Sequence, residues 1–225
     1  MAAFERAVEL GYRYVETDVH ATADGVLVAL HDATLDRVSD GRGAVADLTW
    51  AQVSTARLHD GSAVPLLEDV LGTWPHLRVN IDAKADGAVG PLLDVLHRTR
   101  SHHRVCIGAF SDRRIRDVRR ALPPGTATAL APREVAALRL GLPRRPSPRL
   151  PADVPCVQVP VTYGRLTVVD EVFVARAHTQ GRQVHVWTVN DRAEMRRLLE
   201  LGVDGIVTDE AELLLDVIST RSTSA

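Results

Sequence analysis

The chain has 225 residues, of which 45% are hydrophobic and 25% charged, a composition typical of one globular domain spanning residues 1–225. Its net charge of −2 argues neither for nor against a charged partner, and the lack of a basic tract argues against nucleic acid. No apolar run is long enough to cross a bilayer and no signal-peptide pattern follows Met1, so we expect no stable membrane insertion and a cytoplasmic location.

Strand-like and helix-like segments alternate along the chain. Strands are predicted at 13–18, 26–30, 77–82, 104–109, 126–131, 155–159, 183–188 and 204–208. Helices are predicted at 2–10, 87–99, 111–121, 132–141, 167–180, 191–201 and 210–219. This alternation predicts an α/β protein with a parallel sheet and right-handed crossovers. Residues 33–75 form a longer insertion, and the proline-rich stretch Pro143–Pro155 is expected to be a surface loop.

An internal repeat refines this fold prediction. Residues 9–18 and 200–209 share the order helix end, glycine, strand and terminal Thr-Asp, and a repeated unit of this kind favours a (β/α) barrel over an open sheet. Seven of the predicted strands are parallel, and a helix precedes the first of them. The count fits an eight-stranded barrel that lacks its first strand.

The segment from Glu16 to His31 has the most pronounced pattern of polar residues. Glu16 and Asp18 alternate along a strand and therefore point the same way, about 7 Å apart. Asp24-Gly25 is a two-residue hairpin signal, and a turn centred there would place His31 opposite Asp18. The segment predicts either a metal site with an acid or base beside it, or only a polar loop.

A second strand repeats this pattern. Asn80, Asp82 and Lys84 share one face at the carboxyl end of their strand, where barrels of this type carry active sites. Lys84 is the only lysine in the chain, which suggests a requirement for a compact point charge. Three carboxylates, those of Glu16, Asp18 and Asp82, would need a compensating cation such as Mg²⁺ or Ca²⁺. The alternative is a set of salt-bridged carboxylates at the rim.

Five segments together resemble the glycerophosphodiester phosphodiesterase family. They occur in the family's order and are Val15–Arg37, Val64–Leu71, Asn80–Lys84, Val186–Asn190 and Gly202–Asp209. The resemblance implies a (β/α)8 TIM barrel of the phosphatidylinositol-phosphodiesterase-like type, with a small insertion (33–75) after the second strand. It also implies metal-dependent hydrolysis of glycerophosphodiesters to sn-glycerol 3-phosphate and an alcohol.

The resemblance carries specific roles onto residues of this chain. It implies that Glu16, Asp18 and Asp82 bind the divalent metal, Mg²⁺ or Ca²⁺, and that His31 is a catalytic acid for the leaving alkoxide. It also implies that Lys84 contacts the phosphate and that Trp187 lines the substrate pocket. Asp82 stands where the family has glutamate, so its carboxylate is one methylene shorter.

The family also has a first strand ending in His-Arg-Gly and a loop Pro-Glu-Asn-Thr, and neither is present in this chain. They supply a second catalytic histidine, an arginine for phosphate and a metal-site glutamate, so we expect the natural polypeptide to begin upstream. Strand 13–18 would otherwise keep an uncovered edge through which the chain could self-associate.

Two further hypotheses remain open at this stage. One is a truncated, catalytically impaired barrel that binds metal or phosphodiester without turnover. The other is the same fold acting on lysophospholipid or sphingomyelin head groups. Metal binding without turnover would identify the first, and a comparison of lipid with water-soluble substrates would identify the second.

Overall fold

The computed structural model describes residues 1–141 and 154–222, which divide into two compact units between Thr128 and Ala129. Most of the predicted loop Pro143–Pro155 lies outside the described residues. Within the described ranges no helix combines the length and the apolar character needed to cross a bilayer.

The first unit contains a five-stranded sheet in the order β2-β1-β3-β4-β5. Its strands are β1 Tyr14–Ala21, β2 Leu27–Ala29, β3 Arg78–Ala83, β4 Val105–Gly108 and β5 Ala127–Thr128. Its helices are α1 Ala2–Glu9, α2 Trp50–Val53, α3 Leu67–Thr73, α4 Val89–Thr99 and α5 Asp112–Ala121. Strands β1, β3, β4 and β5 run parallel to their neighbours, and β2 is antiparallel to β1.

The second unit contains a parallel sheet in the order β10-β9-β6 and a separate antiparallel hairpin. Its strands are β6 Cys156–Pro160, β7 Thr162–Tyr163, β8 Leu166–Thr167, β9 Gln183–Trp187 and β10 Gly205–Ile206. Its helices are α6 Pro132–Leu140, α7 Glu171–Thr179, α8 Arg192–Leu201 and α9 Ala211–Ser222.

The alternation of side chains along β3 explains how the first sheet divides core from site. Val79, Ile81 and Ala83 are at most 1% exposed, and they pack in a core that includes Leu92 and Leu96 of α4. Because successive side chains of a strand point to opposite faces, the intervening Asn80 and Asp82 point away from this core. Strand β3 therefore packs its apolar face against α4 and presents its polar face on the opposite side.

The insertion builds a second, smaller core of its own. This core joins Val28 of β2 and the neighbouring Leu30 to five residues of the insertion, Leu35, Val45, Val53, Ala56 and Val64, all buried. The segment is further fixed at α2, where the Thr49 amide donates to Gln52 Oε1 at 2.9 Å in a capping box. The insertion is thus a folded part of the first unit, and it holds the residues after His31 in a defined place.

The repeated helix–glycine–strand unit is present at both predicted places. Gly11 follows α1 with φ of +86° and Gly202 follows α8 with φ of +91°, both in the left-handed region that favours glycine at a helix end. Each glycine leads into a strand, β1 in the first case and β10 in the second.

Two sequence predictions differ from the structure in detail. The hairpin register was wrong by one residue: Val19 pairs with Ala29 and His20 with Val28, so Leu30, not His31, lies opposite Asp18. The reason is a three-residue loop, in which the Thr22 amide donates to the Val26 carbonyl and Gly25 adopts φ of +80°.

The second difference concerns the helix predicted at 167–180. It begins at Glu171 because the Asp170 carboxylate caps it by accepting from the Phe173 amide at 2.8 Å. Residues Leu166–Thr167 instead form β8, the second strand of the hairpin.

His102, before β4, provides a test of burial in the first unit. Its Nδ1 is buried without a hydrogen-bond partner, and its pKa is lowered by this burial and by the neighbouring His97 and His103. Below about pH 6.5, His102 binds a proton more readily in the unfolded chain than in the folded chain. The free energy of unfolding therefore falls as the pH decreases. We expect His102→Gln to flatten the fall in unfolding free energy between about pH 7.5 and 5.5, measured by urea denaturation. The exposed His76→Gln is the control, and an equal slope in both variants would contradict the assignment.

Candidate active site

A cluster of charged side chains lies at the carboxyl ends of β1 and β3. These strands pair in parallel with Asp18 directly beside Asp82, and Lys84 continues two residues beyond Asp82. The backbone amide of Lys84 donates to the Val19 carbonyl at 3.2 Å, which extends the pairing past the end of β3. Strand pairing therefore brings the three side chains together, as the period-two pattern predicted.

Lys84 forms ion pairs with both aspartates. Its Nζ lies 2.7 Å from Asp18 Oδ1 and 3.0 Å from Asp82 Oδ2. The carboxylates are 9% and 13% exposed and the lysine 24%, so the cluster is largely withdrawn from water. The predicted alternative of salt-bridged carboxylates thus describes how these side chains are arranged in the structure.

Burial and pairing act on this cluster in opposite directions. Burial raises the pKa of Asp18, and the contact with Lys84 only partly offsets it. For Lys84 burial opposes the charged form, but the pairs with Asp18 and Asp82 outweigh it and raise the pKa of the lysine. Lys84 is therefore held as an ammonium ion. For Asp18 the cost of burying its charge exceeds the stabilisation that Lys84 provides.

The three predicted metal-binding residues share the face that bears Lys84. Glu16 lies on β1 beside Asn80, one alternation before Asp18, and it is exposed. Asp82 Oδ1 is buried without a hydrogen-bond partner. As the side chains stand, no three histidine, cysteine or acidic groups among the described residues converge closely enough to hold a metal ion. The ammonium of Lys84 lies instead between the two aspartates.

The donor chemistry nevertheless fits a hard divalent cation. Carboxylate oxygens are the ligands that Mg²⁺ and Ca²⁺ prefer, and Asp82 Oδ1 is a buried oxygen without a hydrogen-bond donor. A buried acceptor of this kind is costly unless a cation or donor satisfies it.

His31 reaches the cluster from the end of the hairpin. Its Nε2 lies 3.9 Å from Asp18 Oδ2, while its Nδ1 lies 2.8 Å from Asp32 Oδ1. The imidazole is 72% exposed, so hydrogen bonds rather than packing hold the ring. His31 thus joins Asp18 although the strand register that predicted the contact is wrong.

The sixth predicted residue lies in the other unit. Trp187 is the last residue of β9, half-buried, and pairs with Pro160 of β6. Its assignment to a substrate pocket stays a prediction.

Several residues near the cluster were not assigned a role from the sequence. Phe110 follows β4, is 64% exposed, and its ring centroid is 5.6 Å from Lys84 Nζ. His20 is buried, and its Nε2 is 3.2 Å from the carbonyl oxygen of His31. The rule that site residues follow the carboxyl ends of parallel strands would have found Phe110. The alternation of side chains along β1 places His20 on the same face as Asp18, but it does not determine the role of His20.

Comparison with known proteins identifies the family. The model of the glycerophosphoryl diester phosphodiesterase family matches residues 1–213. A relative from Mycobacterium tuberculosis, named "Probable glycerophosphodiester phosphodiesterase 2", is 43% identical over 98% of this chain and 85% of its own length. A glycerophosphodiester phosphodiesterase from Caldanaerobacter subterraneus is 29% identical over 97% of this chain and 90% of its own.

The solved structures agree with this result. A phosphodiesterase from Oleispira antarctica, in complex with the product sn-glycerol-3-phosphate, superposes with a TM-score of 0.78 and 19% identity. The match covers 97% of this chain and 90% of that one, and it confirms the predicted α/β fold of the TIM-barrel type. The chain therefore belongs to the glycerophosphoryl diester phosphodiesterase family, a family of phosphoric diester hydrolases, as the five sequence segments predicted.

Proposed function

We propose that this protein hydrolyses water-soluble glycerophosphodiesters to sn-glycerol 3-phosphate and an alcohol, with a divalent cation as cofactor. The observation that carries the proposal is the convergence of Asp18, Asp82, Lys84 and His31 at one strand end. A buried carboxylate pair, a lysine and an exposed imidazole are the groups needed to bind a phosphodiester and transfer a proton. Family membership supports the choice of substrate class.

Glu16, Asp18 and Asp82 are the residues that would hold the cation, Mg²⁺ or Ca²⁺. When bound, the cation supplies Lewis-acid polarisation of a phosphate oxygen. The buried Asp82 Oδ1, which lacks a hydrogen-bond donor, supports this assignment.

Lys84 is the residue that would bind the phosphate. It is held as an ammonium by Asp18 and Asp82, so it is charged throughout the physiological pH range. A compact ammonium with three donors can keep a contact to a carboxylate while donating to a phosphate oxygen. The motif that contains Trp187 supports a role for that side chain against the glycerol or the alcohol.

His31 is the residue that would transfer the proton. Its Nδ1 hydrogen-bonds to Asp32, so Nε2 is the atom that is available to the leaving oxygen. A positioned imidazole that protonates a leaving alkoxide contributes about 10² to 10⁴ in rate.

The first experiment measures release of glycerol 3-phosphate from glycerophosphocholine, with and without EDTA. We expect activity that EDTA abolishes and that Asp18→Asn lowers by at least about 10²-fold, since the variant removes a charge from the cation site. Asp36→Asn is the matched control, because Asp36 is an aspartate of the insertion whose side chain accepts only from the Gly43 amide among the contacts shown.

The outcomes of this experiment separate the hypotheses. Activity on lysophosphatidylcholine but not on glycerophosphocholine would replace the proposed substrate class with a lipid. Metal binding by a folded chain with no turnover of either diester would instead identify a catalytically impaired protein.

A second experiment tests the cation site without an activity readout. In EDTA, Lys84→Met leaves two buried carboxylates without their counter-ion, and we expect a loss of about 3 kcal/mol in unfolding free energy. Arg98→Met removes an exposed pair with Glu68 and should cost less than about 1 kcal/mol.

Addition of Mg²⁺ or Ca²⁺ completes this second experiment. A divalent cation replaces the missing ammonium charge, so it should raise the melting temperature of Lys84→Met more than that of the wild type. An equal rise in the melting temperatures of both proteins would place the cation elsewhere. No rise in either protein would exclude cation binding.

A further inference from the structure

Beyond the proposed phosphodiesterase activity, and resting on it, we infer that Arg37 of the insertion is a positioning residue for His31. It acts through Asp32, which it holds so that the imidazole keeps its Nδ1 proton towards Asp32 and its Nε2 towards Asp18. This gives the insertion a part in the catalytic step.

The first step of the argument is a continuous chain of hydrogen bonds. Arg37 donates twice to the Asp32 carboxylate, from Nε to Oδ2 at 2.6 Å and from its terminal nitrogen to Oδ1 at 2.7 Å. The same Oδ1 lies 2.8 Å from His31 Nδ1. A bidentate guanidinium–carboxylate pair fixes the plane of the carboxylate, and with it the direction in which Oδ1 accepts from the imidazole.

The second step concerns the position of the proton. The two hydrogen bonds from Arg37, followed by that from His31, hold the pKa of Asp32 far below its ordinary value. An ionised carboxylate can only accept hydrogen bonds. The Nδ1 of His31 must therefore be the donor, which leaves Nε2, the nitrogen that faces Asp18, as the atom that exchanges the catalytic proton.

The third step is the anchoring of Arg37 itself. Its side chain is 70% exposed, but its backbone is anchored within the insertion. The Arg37 carbonyl lies 2.7 Å from His59 Nε2, and Leu35, two residues earlier, is 2% exposed in the core of the insertion. On the opposite side, His20 lies 3.2 Å from the carbonyl of His31. His31 is thus oriented by contacts to its ring and to its backbone carbonyl, although few side chains pack against the imidazole.

An exposed salt bridge with no functional part would behave differently. Such pairs contribute little to stability, so removal of Arg37 should leave the fold intact in either case. Only the positioning role predicts an effect on the chemical step. Loss of a partner that orients a functional histidine costs about 10- to 100-fold in activity at comparable sites.

The experiment compares Arg37→Met and Arg37→Lys with the wild type. We expect Arg37→Met to lower kcat about 10- to 100-fold with KM changed less than about threefold, because the substrate contacts are kept. Arg37→Lys keeps the charge but loses the bidentate geometry. Its kcat should therefore lie between those of the wild type and Arg37→Met. Arg98→Met removes the similarly bidentate pair with Glu68 and is the matched control for loss of a surface arginine.

A second measurement reads the imidazole directly. Long-range ¹H–¹⁵N spectra, recorded at alkaline pH and assigned with His31→Gln, report which ring nitrogen carries the proton. We expect the Nδ1–H form in the wild type and a mixture of both forms in Arg37→Met and Asp32→Asn.

The two readouts separate failure of this inference from failure of the proposed function. A wild type that hydrolyses no diester would overturn the proposed activity and the kinetic role of Arg37 with it. A fully active Arg37→Met, or an unchanged tautomer in both variants, would overturn the positioning role alone. A slower Arg37→Met with an altered tautomer would support it.

Discussion

The double ion pair of Lys84 with Asp18 and Asp82 is the interaction on which the rest of the site depends. Parallel pairing of β1 and β3 places two carboxylates side by side in a largely buried position, and neighbouring like charges destabilise a sheet. A single ammonium compensates both aspartates only in part. Burial still raises the pKa of Asp18, and Asp82 Oδ1 still lacks a donor. The sheet therefore carries excess negative charge where Asp18 of β1 lies beside Asp82 of β3.

This excess charge limits what the site can bind. A phosphodiester is an anion, and the net negative charge of the two aspartates and one lysine would repel it unless further positive charge were present. A divalent cation meets both requirements, since it satisfies the free carboxylate oxygen and attracts the phosphate. In the proposed function such a cation would share the aspartates with Lys84, whose ammonium is in contact with both of them. Cofactor and substrate would thus be linked through one lysine, the only lysine that the chain contains.

The parts of the site that could be predicted from sequence are those fixed by strand periodicity. Alternation along β1 and β3, with the rule that parallel strands end at one edge, was enough to bring Asp18, Asp82 and Lys84 together. Most strand and helix positions were also predictable, because apolar residues repeat with the period of each element. The hairpin register was not, since Asp24-Gly25 is compatible with a two- and a three-residue loop. Arg37 lies in the insertion, which has no long periodic pattern, so its contact with Asp32 could not be predicted.

The position of His31 shows why an incorrect register still gave a correct contact. With a register shifted by one residue, strand geometry alone would turn the imidazole to the other face. The ladder of β2 ends at Ala29, however, and beyond it the chain follows the insertion rather than the sheet. The ring is then placed by Asp32 and Arg37 on one side and by the contact of His20 with its carbonyl on the other. The insertion, and not the hairpin, therefore determines where the imidazole points. If His31 transfers the proton as proposed, substitutions in the insertion would change the chemical step while the barrel strands stay as they are.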